Sequence, residues 1–114
     1  MSILSELNSI LENLNIPVET SAFSNDIPEE YAVLTPLTDD FDLFADDTPL
    51  CEISSVRITL FSKKNYLNTK ARIVSALLKG DITVTLKEYA GLDNDTGYHN
   101  YTIDVEKPYI YERE

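Results

Sequence analysis

Apolar residues in this chain recur at two periods, and the order in which the periods alternate limits the folds open to it. Ile3, Leu4, Leu7, Ile10, Leu11 and Leu14 stand three and four residues apart, the spacing of one helix face. Ser2 can cap that helix and Glu6 sits near its positive end, while Asn15 and Pro17 stop it. The same spacing returns in Leu67, Ala71, Val74 and Leu78, flanked by Ile73 and Leu77. Asn65 or Asn68 can cap this second helix, and Lys79-Gly80 is a C-terminal signal.

Elsewhere the period falls to two. Val56, Ile58 and Leu60 alternate with Arg57, Thr59 and Phe61, so that strand has two distinct faces. Ile82, Val84 and Leu86 alternate with Thr83, Thr85 and Lys87, and Tyr101, Ile103 and Val105 with Thr102, Asp104 and Glu106. Val18 to Phe23 reads as a short strand, and Tyr31 to Thr35 as a stronger one ending near Pro36. Cys51 and Ile53 are out of phase with Val56, which predicts a bulge at Ser54-Ser55. Asp93 to Gly97 reads as a hairpin loop, and Pro108 as the end of the last strand. The order is therefore α-β-β-β-α-β-β. It predicts one α+β domain over residues 1–114, with a mixed or antiparallel sheet and both helices packed on one face. Leu7, Leu11, Val74 and Leu78 are the expected helical core.

Charge is distributed very unevenly. Residues 1–56 hold twelve Asp and Glu and no Lys or Arg, whereas residues 57–114 hold eight acids and all nine bases. This asymmetry bears on partners and assembly rather than on fold. An acidic half and a near-neutral half can complement each other between copies, as a head-to-tail ring requires. The acids concentrate at Asp39, Asp40, Asp42, Asp46 and Asp47, interrupted by Phe41, Leu43 and Phe44, and are expected in an exposed loop or hairpin tip near 38–49. Lys63, Lys64, Lys70 and Arg72 are the bases available to meet a neighbour's acids. Tyr98, Tyr101, Tyr109 and Tyr111 crowd the end of the chain, which fits either an interface or simple strand propensity.

Chemistry-bearing patterns are weak. A calcium loop begun at Asp40 would place Phe44 and Ala45 where a ligand and the turn glycine belong, and Cys51 at the last ligand position. The Asp93, Asp95 and Gly97 series also puts its glycine one position early, so both segments read as solvated loops. His99 is the only histidine and Cys51 the only cysteine, and no glycine pattern cradles a phosphate. The expectation is a protein that is not an enzyme and that uses no metal and no cofactor. One cysteine fits a reducing compartment. No segment approaches the roughly 20 apolar residues of a membrane span, and Met1-Ser2-Ile3-Leu4 lacks a basic signal-peptide start. Acidity argues against binding nucleic-acid phosphates.

Several segments, taken with the element order, resemble the small head–tail joining proteins of long-tailed phages and prophages, nearest to the tail-terminator or tail-completion type. They are the opening helix running into Ile16-Pro17-Val18, then Pro28-Glu29-Glu30-Tyr31, the strand Val56 to Lys64 leading into the second helix, and the ending Tyr109-Ile110-Tyr111-Glu112. The resemblance implies an α/β protomer, often hexameric as a ring on the head-proximal end of the tail tube. Its partners would be copies of itself, the tail-tube protein and the head connector, and it would be a virion component assembled in the host bacterial cytoplasm. Family members often project a long hairpin, and Asp39–Asp47 falls where that hairpin would lie. DNA would pass through the ring without specific binding, and carboxylates facing the lumen would repel phosphates within a Debye length of roughly 8 Å. The alternatives are an acidic DNA-mimic inhibitor of a nucleic-acid-binding protein and a ferredoxin-like regulatory domain.

Overall fold

The computed structural model describes residues 2–19, 28–42 and 50–111. Its elements are α1 (Ile3–Asn13), β1 (Val18–Glu19), β2 (Glu30–Asp42), β3 (Leu50–Ser62), α2 (Tyr66–Lys79), β4 (Thr83–Leu92) and β5 (His99–Tyr111). The fold is α+β, in the order the periodicities predict. One five-stranded sheet runs β1-β2-β3-β5-β4. β1 pairs parallel to β2, and every other neighbour is antiparallel.

Register decides which residues face the helices. Ala32 pairs with Leu60, Leu60 with Tyr101, Ile58 with Ile103 and Val56 with Val105, so these residues share one face. They are buried together with Ile3, Leu7 and Leu11 of α1 and Ile73 and Leu77 of α2 in one core. Each such side chain taken from water contributes roughly 1.5–3 kcal/mol before chain entropy is counted.

The two helices start and stop by matching devices. Ser2 Oγ accepts from Ser5 N at 3.2 Å, and Asn65 Oδ1 accepts from Asn68 N at 3.4 Å, so Asn65 is the cap of α2. At the other ends, Asn15 (φ 61) and Asp81 (φ 59) take the left-handed conformation. The next amide then reaches back into the helix: Ile16 N donates to Leu11 O at 2.9 Å, and Ile82 N to Leu77 O at 3.1 Å. This is a Schellman closure, and its apolar partners Ile16 and Ile82 are both buried. The left-handed residue after α2 is thus Asp81, not Gly80, whose φ is −90.

Several sequence expectations are corrected. α2 buries Thr69, Ile73 and Leu77, whereas Leu67 and Leu78 are 55% and 61% exposed and Val74 is only partly covered. With Thr69, Ile73 and Leu77 turned to the core, the Leu67–Leu78 stripe faces away from the sheet. No bulge interrupts β3, which pairs with β5 without a register shift from Leu50 to Ser62. The irregularity lies on the partner strand, between Pro36 and Thr38. Leu86 is 37% exposed because a register shift between Val84 and Leu86 turns β4 over.

Neither proline ends its strand. β2 continues through Pro36 to Asp42 and β5 through Pro108 to Tyr111. Pro36 lies beyond the β1 pairing at Val33, and Pro108 beyond the β4 pairing at Glu106, so among the described residues each strand has an open side there. A missing amide is tolerated where the ladder has an open side. The result is a three-stranded arm of β2, β3 and β5 that extends past the helix-covered core. Residues 38–42, expected in an exposed loop or a hairpin tip, are strand backbone of this arm, paired with Ser55 to Cys51. The rest of the expected loop, including Asp46 and Asp47, lies outside the described residues, as do the residues after Glu19 in the expected Val18–Phe23 strand.

Candidate assembly surfaces

Sheet order converts the charge division of the sequence into a division in space. α1, β1 and β2 contain no Lys or Arg, and β1 and β2 form one edge of the sheet. β5 and β4 form the opposite side, with α2 packed over β3, β4 and β5. α2 itself carries Lys70, Arg72 and Lys79 and no carboxylate, and Lys63 and Lys64 precede it in an exposed turn. Antiparallel β3, where the bases begin, is the boundary between the two regions.

The expected contact residues are dispersed over these surfaces. Asp39, Asp40 and Asp42 take arm positions opposite Ser54, Ile53 and Cys51. Lys63 and Lys64 are exposed, with Lys63 Nζ 4.8 Å from the Tyr98 ring centre. Lys70 is half-buried, 5.2 Å from the Tyr101 ring. Arg72 is exposed but donates to Leu14 O at 2.9 Å, tying α2 to the end of α1. Tyr111 pairs through its backbone with Leu50 at the arm end of β5.

Tyr109 is engaged within the protomer. Its hydroxyl donates to Glu6 Oε2, and Lys107 Nζ donates to Glu6 Oε1 at 2.7 Å. Residues 107 and 109 of β5 thereby hold α1 at the root of the arm. Burial, then the hydrogen bond to Glu6 and its negative charge, pushes the Tyr109 hydroxyl well above its ordinary value of 10.0. Burial alone would raise the Glu6 carboxyl. The hydrogen bonds from Lys107 and Tyr109 and the positive charge of Lys107 outweigh it and hold Glu6 below 4.5. Beside this tie, Ser2, Ile3, Leu4, Pro36, Glu52 and Ser54 help line a groove of ≈ 230 Å³ between α1 and the arm.

The sheet face away from the helices is polar at its centre and aromatic at one end. Arg57 Nε and Nη2 donate to the Asp104 carboxylate at 2.8 and 3.0 Å. This bidentate pairing raises the Arg57 guanidinium further above its already high value. Tyr31 stacks on Phe61 at 4.9 Å, and Tyr98 meets Tyr31 edge-on at 5.4 Å. The Tyr98 hydroxyl donates to Pro28 O at 2.5 Å, which pins the start of β2 to the β4–β5 connection. That connection closes as expected around Gly97 (φ 81), with Asp93 Oδ1 accepting from Asp95 N at 3.0 Å.

Tyr66 stacks on Tyr89 at 5.2 Å and lies 5.0 Å from His99, whose Nδ1 is 2.9 Å from the Tyr89 hydroxyl. These contacts fasten the first turn of α2 to the β4 side of the sheet. Sequence reasoning did not foresee this group, because Tyr66, Tyr89 and His99 meet only through the β4–β5 register. Among the described residues, no three of His, Cys, Asp or Glu come together as a metal-holding set. No helix among them is long and apolar enough to cross a membrane. No protein-family model matches the chain, and no match is found among curated proteins.

Proposed function

We propose that this chain is a structural subunit of the head–tail joining apparatus of a long-tailed phage or prophage, of the tail-terminator type. It acts as a ring that caps the tail tube and meets the head connector, assembled in the cytoplasm of a bacterial host, and it performs no catalysis. The observation that carries this reading is the placement of a base-free region and a base-bearing region on opposite sides of one sheet. Head-to-tail association uses two different surfaces of each copy and closes into a ring when the rotation allows. An acidic surface meeting a near-neutral, base-bearing one favours that pairing, and repulsion disfavours contact between two acidic surfaces. The extended β2-β3-β5 arm and the resemblance in sequence support the same reading.

Charge would orient the copies rather than hold them. Exposed ion pairs contribute about 0–1 kcal/mol each. A stable interface needs apolar contact over roughly 1,200–2,000 Å². Lumen-facing carboxylates would keep DNA from adhering during passage.

The test is reconstitution with the cognate tail-tube protein, read by electron microscopy and native mass spectrometry. Capped tubes of uniform length, with a ring of this chain at one end, are expected. Replacing both Lys63 and Lys64 with Glu should reduce capping. Uncapped tubes, together with stoichiometric binding to a basic nucleic-acid enzyme, would overturn the reading in favour of an acidic DNA mimic.

A further inference from the structure

Helix α2 carries two apolar stripes and buries one of them. Tyr66, Thr69, Ile73 and Leu77 turn to the sheet, while Leu67, Ala71 and Leu78 recur at helical spacing on an exposed face. Solvent-exposed leucines three turns apart on one helix are not required by this fold, since the core is complete without them. Beside the stripe, Leu14, Ala71, Ser75 and Ala76 line an open hollow of ≈ 380 Å³ whose remaining walls are Arg72 and Lys79. The surface is therefore concave and largely apolar, and the charges that α2 places on its border are positive.

One segment of the chain has the complementary composition. Residues 39–47 contain Asp39, Asp40, Asp42, Asp46 and Asp47 interleaved with Phe41, Leu43 and Phe44. Phenylalanines would fill the hollow, and aspartates would meet Arg72, Lys79 and the neighbouring lysines.

Strand register argues that the contact is made between copies. α2 ends beside Thr83, which pairs with Glu106, and Glu106 pairs with Ser55. From Ser55 the arm runs on to Leu50, five residues and about 16 Å beyond the end of α2. β2 and β3 remain paired out to Asp42 and Cys51, so the chain between them leaves the arm at its far end. That pairing holds residues 39–42 of a protomer out on the arm, away from its own α2. A second copy meets no such constraint.

We infer that the exposed stripe and hollow of α2 form a docking site for the acidic, aromatic arm segment 39–47 of a second copy of this chain. This contact deepens the ring reading by naming the apolar component that charge alone does not supply.

The test uses full-length protein in two isotopic forms. One form carries a photo-crosslinking residue at position 78, and the other is uniformly labelled with ¹⁵N. Crosslinked peptides joining position 78 to residues 39–47 of the labelled copy are expected. Leu67→Asp with Leu78→Asp, and separately Phe41→Ser with Phe44→Ser, should each weaken self-association by at least about tenfold in sedimentation. Both helix positions are exposed, so the first pair should leave the urea midpoint of the monomer unchanged. Raising salt should weaken association of the wild type.

Crosslinks confined to one copy, crosslinks to other segments, or self-association unaffected by either double substitution would overturn the inference. So would a wild-type protein that stays monomeric at every concentration. Tube capping is read separately. Capped tubes without the crosslink remove only this contact, and the crosslink without capping removes only the terminator reading.

Discussion

Arg57 and Asp104 face each other across β3 and β5 with unequal access to water: the arginine side chain is 44% exposed and the aspartate 11%. Their two hydrogen bonds therefore serve the aspartate more than the arginine. Arg57→Ala leaves a nearly buried carboxylate without its counter-charge, whereas Asp104→Asn leaves a guanidinium that water can reach. The arginine substitution should lower the urea midpoint more than the asparagine substitution does. Equal losses, or the reverse order, would show that Asp104 is hydrated or otherwise compensated.

Adjacent leucines on α2 should behave oppositely. Leu77 is fully buried and Leu78 is 61% exposed. Leu77→Ala should cost about 2–5 kcal/mol in denaturant titration of the monomer. Leu78→Ala should cost under about 0.5 kcal/mol, as for a surface position away from caps and buried pairs. A large loss at Leu78 in a monomeric sample would restore the stripe that spacing alone suggests.

That pair also shows where sequence reasoning runs out. The face of α1 was legible because it has one apolar stripe, and Leu7 and Leu11 are both fully buried as expected. α2 has two stripes of similar strength, and hydrophobic spacing does not rank them. The deciding signal is Ile82, the apolar residue that closes the helix onto Leu77.

Strand existence was legible from alternation, but strand ends were not. Pro36 and Pro108 were read as stops because a proline interrupts a ladder with neighbours on both sides, and here, among the described residues, each strand has an open side. Aspartates at 39, 40 and 42 disfavour a strand by propensity, yet pairing with Cys51, Ile53 and Ser54 carries β2 through them. The charge division was visible in the chain. Its placement on opposite sides of the sheet depends on the order β1-β2-β3-β5-β4, which no local pattern encodes.

Ser62 should matter more than Thr69, although both donate to the same oxygen. Glu30 Oε2 accepts from Ser62 Oγ and from Thr69 Oγ1, each at 2.7 Å. Ser62 Oγ also accepts from Lys64 N at 3.0 Å, so it links β2, β3 and the turn into α2. Thr69→Val removes one donor and keeps the shape of the side chain, for a loss of about 1 kcal/mol. Ser62→Ala removes a donor and strands the Lys64 amide, for a loss of about 2 kcal/mol. Chemical denaturation of the two variants checks the order, and a Thr69 loss exceeding the Ser62 loss would contradict it.

The tie between α1 and the arm should give stability a defined pH window. Glu6 is held below 4.5 in the folded protein, so its contribution is present above the unfolded value and fades as pH falls through the folded one. Tyr109 is raised above 10.0, so its contribution is complete below the unfolded value and fades as pH rises through the folded one. Glu6→Gln keeps the size of the side chain and removes the charge that Lys107 and Tyr109 address. At pH 7 it should cost about 1.5–3 kcal/mol, the range for hydrogen bonds to charged groups. The difference from wild type should stay level from just above pH 5 to about pH 9 and shrink on both sides. Tyr109→Phe should lose the alkaline dependence and keep most of the acid one, because Lys107 still addresses Glu6. Urea titrations of the three proteins across pH provide the measurement. A Glu6→Gln deficit that persists unchanged into acid below the folded Glu6 value would mean that its charge is not what holds α1 to Lys107 and Tyr109.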